Sequence, residues 1–487
     1  MIEIKLWDES FSYDVHSLVK AFYPQEEVKV FSRGAFIRGA WMELEILLEE
    51  DVLSLELRAK GSQAGRQATR LDESQRERKE LKNVLKRSVY QALERYKGEG
   101  LPWGTLTGIR PTKIPMTFLE QGWRNVEIAA YMRDTYLCSK EKTALAVSIA
   151  NREREILKDI DYEQGYSLYV GIPFCPSICL YCSFSSSPIA QWKNRVEEYL
   201  DALCKELAFL GKAYAGKKLN TIYMGGGTPT TLEPDQLDRL MTAVEEHFSY
   251  RDLKELTVEA GRPDSLTPEK LKTLLKHGVQ RISVNPQTMK QKTLDLIGRR
   301  HTVAETREAF FMAREAGFTN INMDLIVGLP GEEKEDVEET LKALRELSPD
   351  SITVHSLAIK RAARLALFKD QYEEIGLKNS EEIMDLTYQS CVEQELYPYY
   401  LYRQKNMAGN FENVGYAKLD KAGIYNILIM EEKQTILAAG AGAISKFVLP
   451  GERLERVENV KNVEQYINRI DEMIERKRTF MERHQLG

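Results

Sequence analysis

The sequence predicts an α/β protein built on an open (β/α)6 partial barrel of TIM-like type, with an N-terminal α+β region and a smaller C-terminal domain. Three observations carry that prediction. From Tyr166 onward, short β-rich runs alternate with longer amphipathic runs, the pattern of parallel strands joined by crossover helices. The strand-like runs end in polar or Gly-rich residues, as barrel strands do where they meet a ligand. Residues 1–165 lack the alternation, and it fades again after about residue 380. From alternation alone, a flat doubly wound sheet stays open as the alternative.

Taken in order, residues 41–49 (WMELEILLE) and 52–59 (VLSLELRA) alternate polar and apolar side chains, as a half-exposed hairpin would. A polar stretch from Gly61 to about Glu80 precedes a helical pattern that runs to about Tyr96. Pro102, Gly104, Gly108 and Pro111 interrupt any regular element in LPWGTLTGIRPTK. Apolar spacing places further helices in 113–160. The region 1–165 carries no evident chemistry. In the core, 166–385, the strand-like segments are SLYVGIPF (167–174), NTIYMGGG (220–227), ELTVEAG (255–261), RISVNPQ (281–287), NINMDLIVGLP (320–330) and SITVHSLAI (351–359). The helical stretches near 193–212, 234–248, 268–277, 303–316 and 333–347 put charge on one side and Leu, Ala or Phe on the other. A helix over 380–396 leads into the third region, 386–487, with the aromatic run YPYYLYRQK (397–405), the small-residue run AAGAGAISK (438–446) and a charged, helical end.

Composition bounds the function. With 487 residues, 43% of them hydrophobic, the chain can bury more than one core. Charged residues make up 29%, 68 basic against 74 acidic, for a net charge of −6. That balance excludes a polybasic nucleic-acid footprint and a disordered acidic tail. The start, Met1 to Glu9, lacks the basic segment and apolar run of a signal peptide. No apolar stretch approaches the length of a bilayer span, so the expectation is a cytoplasmic protein. Six cysteines are too few for a disulfide framework at this size.

Three of them fall together. Cys175, Cys179 and Cys182 form C-x3-C-x2-C directly after the first strand of the alternating region. Three thiolates in so short a loop can converge on one soft metal centre. They are one ligand short of a closed zinc site or a fully ligated cluster, which leaves a coordination position open. A zinc site completed by a remote Cys or His is the alternative. Against it, no second C-x-x-C or H-x3-H pair exists, and Cys138, Cys204 and Cys391 are isolated.

C-x3-C-x2-C is the signature of the radical S-adenosylmethionine (SAM) superfamily, which this sequence resembles. The resemblance implies a 4Fe-4S cluster on Cys175, Cys179 and Cys182, with the fourth iron chelated by the amino and carboxylate groups of SAM. An electron from the cluster then cleaves SAM, and the resulting 5′-deoxyadenosyl radical abstracts hydrogen from substrate. Gly225 to Thr230 (GGGTPT) closes the second strand, and the stretch from about Tyr169 to Ile444 resembles the oxygen-independent coproporphyrinogen III oxidase group, heme chaperone-like proteins included. That resemblance assigns cofactor contacts to Tyr169, Tyr181, Gly226, Gly227, Thr228, Glu259, Gln287, Arg299 and Asp324. It assigns Ala358 and Ile444 to the surroundings of a second SAM. The side-chain chemistry agrees. Glycines allow close approach, with exposed N–H groups to bind the amino acid moiety. Arg299 suits the SAM carboxylate through its bidentate fork, and Glu259, Gln287 and Asp324 suit ribose hydroxyls or the ammonium. Singly, each reads as a salt bridge or a solvated side chain; as a set at strand ends they read as a site.

Departures from the pattern refine the expectation. Gly171 stands where the oxidases have the His of H-I-P-F-C, and Phe184 where they have a further Cys; the Phe resembles the chaperone-like branch. The long N-terminal region and YRQKNMAGNFENVGYA (402–417) resemble the HemZ-type coproporphyrinogen dehydrogenase branch. The implied activity is that of a radical SAM oxidoreductase of heme and porphyrin biosynthesis, converting coproporphyrinogen III to protoporphyrinogen IX by oxidative decarboxylation. Its implied partners are a tetrapyrrole substrate and an external electron donor and acceptor. The alternative is a heme-binding, chaperone-like protein without decarboxylase activity. A tetra-anionic substrate needs cationic anchors near aromatic surface. Arg110, Lys113, Lys360, Arg361, Arg364 and Arg403, the last beside Tyr399, Tyr400 and Tyr402, are the candidates. His355 is the one candidate axial ligand to a heme, against the reading of a satisfied core histidine.

Overall fold

The computed structural model describes residues 1–32, 36, 39–108, 110–183, 186–358, 379–404, 411–451 and 453–486. Phe184, Lys360, Arg361 and Arg364 lie outside the described residues, as does the middle of 402–417. The chain forms two compact units, Met1–Asn151 with Arg403–Asn406, and Arg152–Tyr402 with Met407–Gly487.

The first unit holds a five-stranded sheet in the order β2-β1-β3-β4-β5. The strands are β1 (Ile2–Leu6), β2 (Val28–Phe31), β3 (Met42–Glu49), β4 (Val52–Ala59) and β5 (Ser62–Arg70). β1 runs parallel to β2 and β3, and β3, β4 and β5 form an antiparallel meander. Alternation sets the inner face, since successive strand side chains point to opposite sides. Ile2, Ile4, Met42, Leu44, Leu55 and Leu57 are buried in one core with Val15 and Leu18 of the helix Ser12–Phe22 and Leu85 and Val89 of the helix Arg78–Lys97. The expected hairpin is present as β3 and β4. The polar stretch after it is a third strand, β5. Its SQAGRQATR sequence shows no apolar alternation because it is an edge held by backbone pairing to β4 and by the Gln67 amide, which donates to the Ser88 carbonyl at 2.6 Å. A polar, charged edge also discourages pairing with other chains.

The second unit contains β6 (Gly165–Ile172), the short β7 (Phe174–Cys175) and β8 (Ser187–Pro188), β9 (Lys218–Gly226), β10 (Glu255–Glu259), β11 (Arg281–Ser283), β12 (Ile321–Val327) and β13 (Ser351–Ser356). It continues with β14 (Tyr397–Tyr402), β15 (Asn413–Ala417), β16 (Thr435–Ala439), β17 (Ile444–Leu449) and β18 (Arg453–Glu458). One 11-stranded sheet runs β14-β15-β13-β12-β11-β10-β9-β6-β16-β17-β18. Its centre is the set of six parallel strands, β6 and β9 to β13, neighbouring one another in chain order. This is the expected (β/α)6 run. It stays open, because the outer neighbours of β6 and β13 are β16 and β15.

Helices Val196–Ala213, Pro234–His247, Pro268–Lys276, Val303–Ala316 and Lys334–Leu347 connect these strands. Local signals start and stop them. Proline occupies the first helical position at 234 and 268, where its missing N–H costs nothing. Thr302 and Glu305 form a capping box, and Gly317 ends that helix at φ 116°. The central strands read as near-continuous apolar runs because both faces are covered; Leu168, Val170, Ile222, Met224, Val258, Met323 and Val354 are all buried.

The last helix, Ile470–His484, is tied in by a buried ion pair. Lys477 Nζ lies 2.6 Å from Glu206 Oε1, with both side chains fully buried. Glu206 also accepts from the Tyr466 hydroxyl at 2.6 Å, the Asn459 amide at 2.9 Å and the Gly440 N–H at 2.9 Å. These donors fix the turn after β16 and satisfy a carboxylate that would otherwise be costly to bury. Among the described residues, no helix is long and apolar enough to cross a membrane.

Candidate cofactor site at the strand ends

The cysteine loop leaves the end of β6, passes through β7 and returns at β8, which pairs parallel with β7. Cys175, Cys179 and Cys182 are all free thiols; Cys179 is buried and the other two half-buried. The loop is stitched to residues 291–299. Leu180 N–H donates to the Ile297 carbonyl at 2.9 Å, and the Ser177 hydroxyl to the Gly298 carbonyl at 3.2 Å. Leu180 also packs with Leu294, Ile297, Ile326 and Leu329. Within the loop, Cys182 N–H donates to the Cys179 carbonyl at 3.2 Å, which turns the chain back on itself. Burial pushes the Cys175 thiol up to about 11. A metal centre reverses that balance by stabilising the thiolate.

The glycine turn after β9 is built against the loop. Gly227 N–H donates to the Ile172 carbonyl and Thr228 N–H to the Phe174 carbonyl, each at 2.7 Å. The N–H groups that the sequence offered to a ligand are therefore already engaged, and the glycines supply room instead. Gly226 sits at φ 107°, and a Cβ there would lie 3.1 Å from the Tyr169 hydroxyl. A Cβ on Gly227 would lie 2.5 Å from the Phe174 carbonyl oxygen. The Thr228 hydroxyl points to Cys175 Sγ at 3.6 Å, joining this turn to the thiols.

Beside the turn lie two carboxyls in contrasting states. Glu259, closing β10, accepts from the Tyr223 hydroxyl at 2.6 Å. Burial raises its pKa to about 7, the Asp324 charge adds to the rise, and the Tyr223 hydroxyl and Gly226 N–H oppose it. Asp324, on β12, accepts from the Asn322 amide at 2.7 Å, and its Oδ2 lies 3.7 Å from His355 Nε2. Burial alone would raise Asp324, but His355, Asn322 and Arg281 together hold it below the ordinary value. One carboxyl thus exchanges a proton near neutrality while its neighbour stays anionic. Tyr169, Tyr223 and Tyr425 stack nearby, with Tyr223 and Tyr425 4.6 Å apart and Tyr169 6.3 Å from each.

Gln287 holds a left-handed φ of 66°. Its N–H donates to the Asp324 carbonyl, its carbonyl accepts from Ile326 N–H, and its side-chain Oε1 is buried with no hydrogen-bond partner among the described residues. A strained backbone aiming an orphaned acceptor into a site fits a polar ligand. Arg299, buried, donates to the Asn285 carbonyl at 2.5 Å and lies beside the Tyr181 hydroxyl and the Cys179 thiol. Burial works against its charge, and those two neighbours outweigh it, leaving the pKa above the usual guanidinium value.

The structure thus brings Cys175, Cys179, Cys182, Tyr181, Thr228 and Arg299 together at the loop. It brings Tyr169, Gly226, Glu259, Gln287 and Asp324 together at the strand ends. Asn285 links the two groups, since its carbonyl accepts from Arg299 and its Oδ1 from Asp324 N–H at 3.2 Å. Ala358 and Ile444 stand on opposite sides of the six-strand run, after β13 and at the start of β17, where Ile444 is exposed. Sequence reasoning missed Arg262, Asn285, Tyr223 and Tyr425. The one available signal was Gly261: a Cβ there would lie 2.8 Å from the Asn285 amide nitrogen.

Several proposed substrate anchors are otherwise engaged. Arg403 donates to the Leu106 carbonyl at 2.6 Å and lies over Trp103. Tyr399 and Tyr400 are buried in an apolar cluster with Leu157, Ile427 and Leu428. The Tyr402 hydroxyl lies 3.4 Å from His355 Nδ1.

An open run of six parallel strands with three thiols after the first of them defines a radical SAM protein, and residues 169–344 match the Radical SAM superfamily. The chain is 39% identical over 409 residues to the oxygen-independent coproporphyrinogen-III oxidase-like protein HemZ of Bacillus subtilis (strain 168), covering 83% of this chain and 82% of that protein. It is 40% identical over 195 residues to the heme chaperone HemW of the same organism, covering 40% of this chain and 51% of that one. Among solved structures it resembles the coproporphyrinogen III oxidase HemN of Escherichia coli, with a TM-score of 0.52 and 25% identity, covering 66% of this chain and 73% of that one. The chain belongs to the radical SAM coproporphyrinogen oxidase-like family, in its HemZ branch. It is a radical SAM oxidoreductase, and its cofactors are a 4Fe-4S cluster and SAM.

Proposed function

We propose that this protein carries out oxygen-independent oxidative decarboxylation of coproporphyrinogen III to protoporphyrinogen IX, in the cytoplasm, with an external electron donor and acceptor. The observation that carries this reading is the similarity to the HemZ oxidase-like protein along 83% of the chain, well beyond the cofactor-binding core. In this reading Cys175, Cys179 and Cys182 hold the cluster, and Tyr169, Tyr181, Gly226, Gly227, Thr228, Glu259, Gln287, Arg299 and Asp324 hold SAM. Ala358 and Ile444 border a second SAM. Residues 166–385 form the radical SAM core, 386–487 the oxidase-like C-terminal domain, and 1–165 an N-terminal α+β region to which no role is assigned.

When bound, cluster and SAM supply one-electron chemistry that removes hydrogen from an unactivated carbon. The chain's own residues prepare the site for them. Glu259 near neutrality can donate or accept a hydrogen bond at a ribose hydroxyl, while anionic Asp324 accepts only. Gln287 offers its unused Oε1, and Arg299 offers positive charge beside the loop. The tyrosine stack gives the strand ends an aromatic wall, and the apolar residues around Leu180 back the cysteine loop.

A second reading, heme carriage without decarboxylation, is favoured by Gly171. A Cβ at this position would lie 3.3 Å from the Ala439 carbonyl oxygen and 3.4 Å from the Tyr169 ring, so the glycine sits close against both and supplies no imidazole where the oxidases have one. Anaerobic incubation of reconstituted protein with SAM, reductant and coproporphyrinogen III separates the two. Protoporphyrinogen IX formed in step with 5′-deoxyadenosine supports decarboxylation. SAM cleavage without CO2, together with tight heme binding, supports carriage.

A further inference from the structure

The cysteine loop carries a second buried guanidinium besides Arg299. Arg262 follows β10 and is 3% exposed. Its Nε and Nη2 donate to the two carboxylate oxygens of Asp264 at 3.0 and 2.8 Å. Nη1 serves the loop instead: it donates to the Ser177 carbonyl at 3.2 Å and hydroxyl at 3.1 Å, and reaches Cys179 Sγ at 3.9 Å. The fork is thus held on one side by a carboxylate and turned to a sulfur on the other. Cys175 receives a neutral hydroxyl, that of Thr228.

We propose that Arg262 is a positioning residue that sets the reduction potential of the cluster; the proposal rests on the reading of Cys179 as a cluster ligand. Reduction adds one electron, from an external one-electron donor, to a centre that already carries thiolate charge. A cation directed at one of its sulfurs stabilises the reduced form more than the oxidised form and raises the potential. Asp264 holds the far edge of the fork, a hold that Asn keeps through its Oδ1, and its charge offsets part of the guanidinium's. The pair therefore places the potential between that of an unassisted cluster and that of a cluster facing a bare cation.

The test uses the full chain with its cluster reconstituted, as wild type, Arg262→Gln, Arg262→Lys and Asp264→Asn. Iron and sulfide are counted first, then the cluster is reduced potentiometrically with dithionite and followed by electron paramagnetic resonance. At the potential where wild type is half reduced, Arg262→Gln is expected to show a reduced-to-oxidised ratio about tenfold lower, equivalent to about 59 mV for one electron. Arg262→Lys recovers most of that ratio, and Asp264→Asn moves it the opposite way. Arg262→Gln with a full cluster and the wild-type potential overturns the proposal. Should Arg262→Gln fail to hold a cluster, Asp264→Asn decides: a higher potential supports the proposal, an unchanged or lower one overturns it. Cys179→Ala is run alongside. A four-iron cluster retained there places the fault in the ligand assignment, whatever Arg262 does.

Discussion

The Tyr223 hydroxyl donates to Glu259 Oε1 at 2.6 Å, and the Glu259 carboxyl it holds has its pKa raised to about 7 by burial. The folded protein therefore keeps a proton that the unfolded chain releases near pH 4.5. Between those values the folded state binds more protons, so stability falls as pH rises from about 4.5 to 7 and levels off above. Replacing Glu259 with Gln should remove about 2–4 kcal/mol of that fall. Urea unfolding of the cofactor-free protein at pH 5 and pH 7.5 measures it. An equal fall in the variant would show that Glu259 is ionised in the folded state.

Lys477 and Glu206, fully buried and 2.6 Å apart, should be strongly coupled. Lys477→Met leaves the Glu206 carboxylate buried without its cation and should cost about 3–5 kcal/mol. The double variant with Glu206→Gln should recover much of the loss, because no unpaired charge remains. A double-mutant cycle by urea denaturation checks this, with additive losses as the contrary outcome.

Gly227 leaves a prospective Cβ 2.5 Å from the Phe174 carbonyl oxygen. Gly227→Ala must shift either the turn or the cysteine loop, so cofactor loading should be lost while circular dichroism still reports the β/α unit. Normal iron and sulfide uptake in this variant would mean that the loop gives way freely.

Arg299→Ala should weaken SAM binding by about 1.5–3 kcal/mol, the scale of a charged hydrogen bond. Equilibrium binding to the cluster-loaded variant measures it. Unchanged affinity would leave Arg299 as a support for Tyr181 and Cys179 alone.

The six β/α units were legible because each strand buries both faces and each crossover helix buries one, which writes two distinct periods into the sequence. β5 was not legible, because the Ser62–Arg70 edge buries almost nothing. The strands β16 to β18 were hidden for a different reason. β16 is the five-residue TILAA, too short to show a period of two before it runs into the small residues of AAGAG, and β18 is charged and largely exposed. The thiols were legible from spacing alone. Arg262 and Asn285 were not, since Arg262 acts on Cys179, 83 residues upstream, and Asn285 on Arg299 and Asp324, 14 and 39 residues downstream on other elements.

The central claim is that Cys175, Cys179 and Cys182 hold a cluster that leaves one iron for SAM. Iron and sulfide analysis of anaerobically reconstituted protein tests it most directly. About four irons and four sulfides per chain are expected, lost when any one of the three cysteines is replaced with Ala. Stoichiometric zinc without sulfide would contradict the claim.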